Sequence, residues 1–132
     1  MNAPSIDIKD ILELDSELAL IFATDLFIAR EPQKPDNTVT IFDYGGGPAN
    51  LAMITQGYEY PSIQIRVKNR NFEDGWEIIE RIKTLLHGRA NETWNNTLYT
   101  VIACASGPAL LDWDDNNNVR FIINFNLQRH AV

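Results

Sequence analysis

The sequence has little of the material from which most metal-binding, catalytic or membrane-spanning sites are built. It contains one cysteine, Cys104, and two histidines, His87 and His130. A disulfide within the chain is therefore excluded, and so is a metal site made of several thiolates. Neither histidine has the motif partners that a zinc site or a Ser-His-Asp arrangement needs. No apolar run approaches the roughly 20 residues that span a bilayer, so we expect no membrane partner.

Basic residues are also scarce, since 11 Lys and Arg face 18 Asp and Glu, for a net charge of −7. Sequence-specific binding of nucleic acid is disfavoured, because such proteins place lysine and arginine on the phosphates. The 132 residues are 45% hydrophobic and 22% charged, which is typical of a single globular domain over residues 1–132. The chain opens without a signal-peptide pattern, so we expect assembly in a reducing cytoplasm.

Two segments have the periodicity of a helix. Apolar residues recur at roughly helical spacing from Ile8 to Leu18, and Ser5 or Asp7 can cap this first helix. The second helix begins at Phe72 and ends at His87-Gly88. Its apolar stripe consists of Phe72, Trp76, Ile79, Ile82 and Leu86.

Five segments are predicted to be strands: 20–28, 38–44, 63–68, 98–105 and 120–128. The stretch 98–105 is apolar on both faces, which favours a central position in the sheet. Residues 31–37 form a loop, the run Gly45 to Pro48 ends regular structure, and Tyr60-Pro61 ends a second loop. The order predicts an α+β fold, in which a mixed, mostly antiparallel sheet packs against two main helices.

Two motifs resemble ligand-binding loops, but in each case the adjacent residues lack the groups that the ligand needs. Gly47 is followed by Pro48 and not by the Lys-Ser/Thr of a phosphate loop. In residues 112–118, side chains with oxygen atoms recur at alternate positions, as the ligands of a calcium loop do. However, Asn117 replaces the turn glycine, and Ile123 stands where the bidentate Glu belongs. We therefore predict a solvated hairpin turn there, and no catalytic residue, cofactor or metal site in the chain.

The order and spacing of three blocks resemble a known family. A Pro-Asp turn leads into residues 38–44 and then Gly45-Gly46. Residues 58–67 follow, and then a helix that ends in Leu-Leu-His-Gly at residues 85–88. This combination, from about Glu31 to Leu127, resembles the minor capsid and tail-terminator proteins of tailed bacteriophages.

The resemblance implies an α/β sandwich and a structural role in the virion, with no enzymatic activity and no cofactor. Subunits of the family form a hexameric ring that caps the tail tube and joins the tail to the head. The implied partners are copies of the chain, the tail-tube protein, and neck, connector or sheath proteins, while DNA passes through without specific binding. Two alternatives remain open: a head-tail adaptor or stopper, and a small ligand-binding domain or enzyme.

Ring contacts need exposed apolar and aromatic side chains, and these suggest candidate contact residues. Trp94 and Trp113 lie in predicted loops, where the alternative is local loop packing. The predicted flexible turn supplies the other candidates, Tyr44, Gly45, Gly46, Gly47 and Pro48. An acidic wall would repel passing phosphates, so Asp112, Asp114 and Asp115 are candidate lumen residues.

Overall fold

In a computed structural model, the structure describes residues 1–50 and 57–132, and residues 47–50 by their backbone only. Two helices, α1 (Pro4–Glu13) and α2 (Phe72–Leu86), accompany six strands. The strands are β1 (Leu26–Ile28), β2 (Thr38–Asn50), β3 (Tyr58–Asn69), β4 (Glu92–Trp94), β5 (Thr97–Trp113) and β6 (Val119–Ala131). They form one sheet in the order β1-β2-β3-β6-β5-β4, in which only the β1–β2 pair is parallel. The predicted α+β class is confirmed.

Both helices pack on the same face of this sheet. Ile41, Ile65 and Ile123 are paired across β2, β3 and β6, and all three are fully buried beneath the helices. The same core contains the inward residues of β6 and the buried part of the α2 stripe: Phe121, Ile123, Phe125, Leu127, Ile79, Ile82 and Leu86. The neighbouring cross-strand row, Phe42 with Gln64 and Asn124, points to the opposite face, which neither helix covers. We call this the open face.

The first helix differs from its prediction at both ends. Its N-cap is Ala3, and no side chain caps it. Ser5 and Asp7 lie inside the helix and are buried, because each has a partner on the sheet that satisfies it. The helix ends at Glu13, so Leu14 lies beyond it and is 75% exposed.

The predicted strand over 20–28 is wrong except for its last three residues. Asp25 accepts a hydrogen bond from the Ile21 amide at 2.7 Å, and Ala23 and Ala29 have positive φ. This local turn uses the amides that a strand would need for pairing, so β1 begins only at Leu26.

The glycine run does not end regular structure, and Tyr60-Pro61 is not a loop end. The backbone of β2 continues through Gly47 to Asn50 and pairs with Tyr60 and Tyr58 of β3 across two register shifts. At Gly46 a β-carbon would lie 1.7 Å from the Tyr60 carbonyl oxygen. The glycine therefore permits a close strand approach, which a sequence pattern cannot distinguish from a turn.

The stretch 98–105 is not central, because β3 and β6 occupy the middle of the sheet. It belongs to β5, second from the edge, which continues through Gly107-Pro108 to Trp113. The short β4, which was not predicted, covers only Thr97 to Tyr99. The apolar residues Val101 and Ala103 point to the open face and line a hollow there. Apolar residues on both faces of this strand therefore do not mean that both faces are covered by other elements.

Candidate assembly surfaces

The predicted contact residues of the glycine run lie where β2 leaves the core. Tyr44 is 46% exposed, and its hydroxyl donates to Oδ1 of Asn124 across the open face at 2.9 Å. Gly45 and Gly46 are exposed beside it. The surroundings of Gly47 and Pro48 lie outside the described side chains. The structure thus brings Tyr44, Gly45 and Gly46 to one accessible stretch of strand, in place of the predicted turn.

The two tryptophans that were predicted to lie in loops both belong to strands. Trp94 is half-buried in β4, packs against the core, and donates from Nε1 to Glu92 at 3.0 Å. Trp113 ends β5 and is 52% exposed. Only Trp113 therefore offers a large apolar surface to a partner without rearrangement.

Trp113 is one of four exposed apolar side chains on the helix side, of which three lie beside the buried Phe121 and Trp113 lies beside Val119. The rings of Phe72 and Trp76 meet that of Phe121 edge-on, at centroid distances of 5.1 and 5.5 Å. Leu110 is paired with Phe121 and Trp113 with Val119, so both point to the helix side. The exposed fractions are 47% for Phe72, 38% for Trp76 and 51% for Leu110. These four residues, Phe72, Trp76, Leu110 and Trp113, are the β5 surface.

The β5 surface borders a free strand edge. The outer edge of β5 is paired with β4 and, at Ile102, with Arg89. The amide of Cys104 donates to Nδ1 of His87. From Ala105 to Trp113, no strand within residues 1–50 and 57–132 pairs with this edge. Unpaired edges of this kind are sites for pairing with another chain.

A second exposed apolar group lies at the opposite edge of the sheet, beside β1. Leu14, Ile21 and Phe22 are 75%, 60% and 43% exposed. The Phe22 ring lies under Nζ of Lys9 at 4.9 Å, and its amide donates to Glu13 at 3.1 Å. These contacts fix the 21–22 turn against the end of α1. Leu14, Ile21 and Phe22 are the β1 surface.

Sequence reasoning missed most of both surfaces. Phe72 and Trp76 were placed on the core stripe of α2, and they do touch the core, but only with one side of each ring. Leu110 was not identified at all. Leu14 continued a helical period, and Ile21 and Phe22 were read as a strand. For Leu14, Ile21 and Phe22, the available signal was an apolar residue just outside a helix or strand. That signal does not distinguish a buried position from an exposed one.

The three candidate lumen acids differ in their partners. Asp112 accepts two hydrogen bonds from Arg120, both at 2.6 Å, which lower the pKa of this carboxyl. Arg120 also pairs with Glu31 at 2.8 Å, and these carboxylates raise the pKa of its guanidinium. Burial opposes ionisation of Asp114, but hydrogen bonds from Asn118 and Asn116 outweigh it and lower the pKa. Asp115 is exposed at the tip of the turn. The solvated hairpin turn that was predicted is present.

Near Tyr44, the open face carries amides and hydroxyls rather than a chemical site. Ser62 donates to Asn126 at 2.9 Å, Gln64 donates to Asn124 at 3.2 Å, and Asn124 donates to Ser106 at 2.9 Å. A hollow of about 450 Å³ opens on this face. It is lined by Gly45, Gly46, Tyr60, Ser62, Val101, Ala103, Asn126, Leu127 and Gln128. None of these residues is charged.

A buried polar network attaches α1 to the far end of the sheet. The carboxylate of Asp7 is fully buried and accepts from the Tyr99 hydroxyl and, at 2.6 Å, from Asn95. Arg129 lies 3.9 Å from it and pairs with Glu59 at 3.1 Å. Burial, and then the bond to Asp7, raise the pKa of Tyr99 well above its ordinary value. The network holds α1, and therefore Leu14 at its end, in a fixed position on the sheet.

Within the part of the chain that the structure describes, no group of three or more His, Cys, Asp or Glu is arranged to hold a metal ion. Neither of the two helices found in residues 1–50 and 57–132 has the length and apolarity that crossing a bilayer requires.

Comparison with known proteins gives one family match and one informative fold. A family model described as bacteriophage tail terminator protein matches residues 13–130. No curated protein matches the chain. The solved structures that it resembles include a chain from the virion of a native gene transfer agent particle, with 16% identity and a TM-score of 0.71. That alignment covers 98% of this chain and 96% of the other, and it shows a shared fold.

Proposed function

The chain belongs to the family of bacteriophage tail terminator proteins, which are structural proteins of the virion, and on this premise we propose that copies of it form a ring. The ring, expected to be hexameric, caps the tail tube and joins the tail to the head. The observation that carries the proposal is the family match, because residues 13–130 include α2, the first five strands and all of β6 except its last residue.

The distribution of exposed side chains supports assembly. Five of the residues in the β5 and β1 surfaces are at least 47% exposed: Phe72, Leu110, Trp113, Leu14 and Ile21. Contiguous apolar patches on a folded chain are typical of contact sites with other proteins. The role is therefore one of binding protein partners, and we propose no enzymatic activity for this structural family member.

The proposed partners are other copies of the chain, the tail-tube protein, and the neck, connector or sheath proteins that meet the tail. Assembly takes place in the host cytoplasm, and DNA passes through the finished ring without specific binding. Tyr44, Gly45 and Gly46 remain proposed contacts, as do Trp94 and Trp113. An accessible strand of this kind suits a partner that pairs with its backbone.

The three candidate lumen acids differ in how much of their negative charge they can present to DNA. The charge of Asp112 is balanced by Arg120, and the carboxylate of Asp114 accepts from its own turn. Asp115 is then the residue that presents a free negative charge, if this turn faces the passing DNA. Replacing Asp115 by lysine is expected to slow DNA delivery, with Asp10→Lys as the control for the same charge change. Equal delivery by the two variants would place the turn away from the DNA path.

The proposed function is tested by native mass spectrometry over a concentration series, first alone and then with the cognate tail-tube protein. A species of six chains, or one that appears only with the tube, is the expected result. A chain that stays monomeric and ignores the tube would overturn the ring. Binding to the portal-side proteins in its place would indicate an adaptor or stopper.

A further inference from the structure

We propose that the β5 surface of one copy packs directly on the β1 surface of the next copy, so that the ring closes through one repeated head-to-tail contact. The inference rests on the proposed ring and adds which two surfaces meet. It commits to a second copy of this chain as the occupant of both surfaces.

The positions of the two surfaces in the sheet carry the inference. In the order β1-β2-β3-β6-β5-β4, one surface lies beside the first strand and the other along the unpaired part of β5. Both lie on the helix side, since Leu14 follows α1 and Phe72 and Trp76 belong to α2. A closed ring built from identical subunits needs two different, complementary surfaces on opposite flanks of each subunit. A partner seated on the ring axis would need only one surface, at one end.

The amount of apolar surface also agrees with a subunit contact. Large side chains carry about 150–250 Å² each, so the four residues of the β5 surface expose roughly 400 Å² and the three of the β1 surface roughly 300 Å². Stable interfaces bury about 1,600 Å² in total, of which a little over half is apolar. The seven side chains would thus supply most of the apolar core of one contact. Either surface paired with a polar partner would supply less than half.

The free edge of β5 gives the contact a direction. Its unpaired backbone groups run alongside Leu110 and Trp113, so a chain that covers the β5 surface also reaches hydrogen-bond donors and acceptors. The register shifts between Cys104 and Asp112, and Pro108 without an amide hydrogen, make this set of groups irregular, so it fits only one register of the approaching chain. The apolar residues then supply the affinity, and the edge supplies the orientation.

Two charge-introducing variants separate the surfaces. Leu110→Glu with Trp113→Glu disables the β5 surface, and Leu14→Glu with Ile21→Glu disables the β1 surface. All four side chains are more than half exposed, so the fold should tolerate the changes. The control is Ala109→Glu, which adds one negative charge on the same strand. Ala109 is exposed and pairs with Ile122, so its side chain points to the open face and away from that of Leu110.

Mixing the two double variants tests whether the two surfaces contact each other, which a loss of assembly in one variant does not show. Each double variant is expected to remain at the chain mass of 15.0 kDa by native mass spectrometry, alone or with the tail-tube protein. Mixed together, they should form a one-to-one dimer and nothing larger, because each retains the surface that the other has lost. The dimer also proves that both variants are folded. Ala109→Glu should form the wild-type ring.

Each other outcome overturns the inference. A ring from either double variant would show that the disabled surface is not required. Two monomers that stay monomeric on mixing would show that these surfaces do not meet. If the wild-type ring forms while either of these results is seen, the proposed function stands and only the contact is wrong. A wild-type chain that never assembles, even with the tail-tube protein, would overturn both.

Discussion

Replacing Asp7 by alanine should destabilise this protein more than any change at an exposed acid. The buried carboxylate accepts from Tyr99 and Asn95 and lies near Arg129. Without it, the buried Tyr99 hydroxyl loses its acceptor, and the Arg129 guanidinium loses one of the two carboxylates that balance its charge. Removing one partner of a buried charge pair costs about 3–5 kcal/mol. For a domain with a total stability of about 5–15 kcal/mol, that loss is large.

Urea unfolding followed by tryptophan fluorescence measures this loss, and thermal melting should show a decrease of roughly 10–20 °C. The matched control is Asp10→Ala, on the same helix. Asp10 also accepts from Asn95, at 2.9 Å, but it is solvent-accessible and pairs with Lys9 at the surface. We expect it to lose less than about 1 kcal/mol. If the two variants are equally stable, the network does not hold α1 to the sheet.

Three further results follow from single contacts. The bond from Arg81 lowers the pKa of Asp15, so the stability from this pair is complete above about pH 4 and is lost as the pH falls through the lowered pKa. The deficit of Asp15→Asn in urea unfolding should therefore be full at pH 7 and disappear in acid; a constant deficit would contradict the pairing. Gly46→Ala should lose about 1–3 kcal/mol, because its β-carbon would overlap the Tyr60 carbonyl. Gly45→Ala, which has nothing within 4 Å, should lose far less, and equal losses would remove the close-approach argument.

The elements that sequence reasoning placed correctly are those whose partners are close in the chain or whose pattern is long. The stripe on α2 and the alternation on β6 each extend over many residues, so both elements were found near their true bounds. The hairpin turn after Asp112 was found for the same reason, since its hydrogen bonds are local. The family resemblance rested on such blocks, and the family match confirms it.

The errors concern residues whose conformation depends on a distant strand. The glycine run extends β2 because Tyr60 of β3 lies against Gly46. Ser5 is buried in α1, and does not cap it, because Asp43 accepts from its hydroxyl. The stretch 98–105 is not central because β6, which follows it in the chain, lies between it and β3 and pairs with both.

The amino-acid sequence by itself determined the class of fold, the helix α2, the existence of strands β3 and β6 and membership in a family of virion proteins. These follow from periodicity and block order, which a chain carries along its length. Only the tertiary structure decided which apolar residues remain uncovered. Trp113 and Phe121 are similar in type and close in sequence, yet one is half exposed and the other is fully buried. The difference arises because burial depends on which elements meet across the sheet, and the end of α2 covers Phe121 but not the edge of β5.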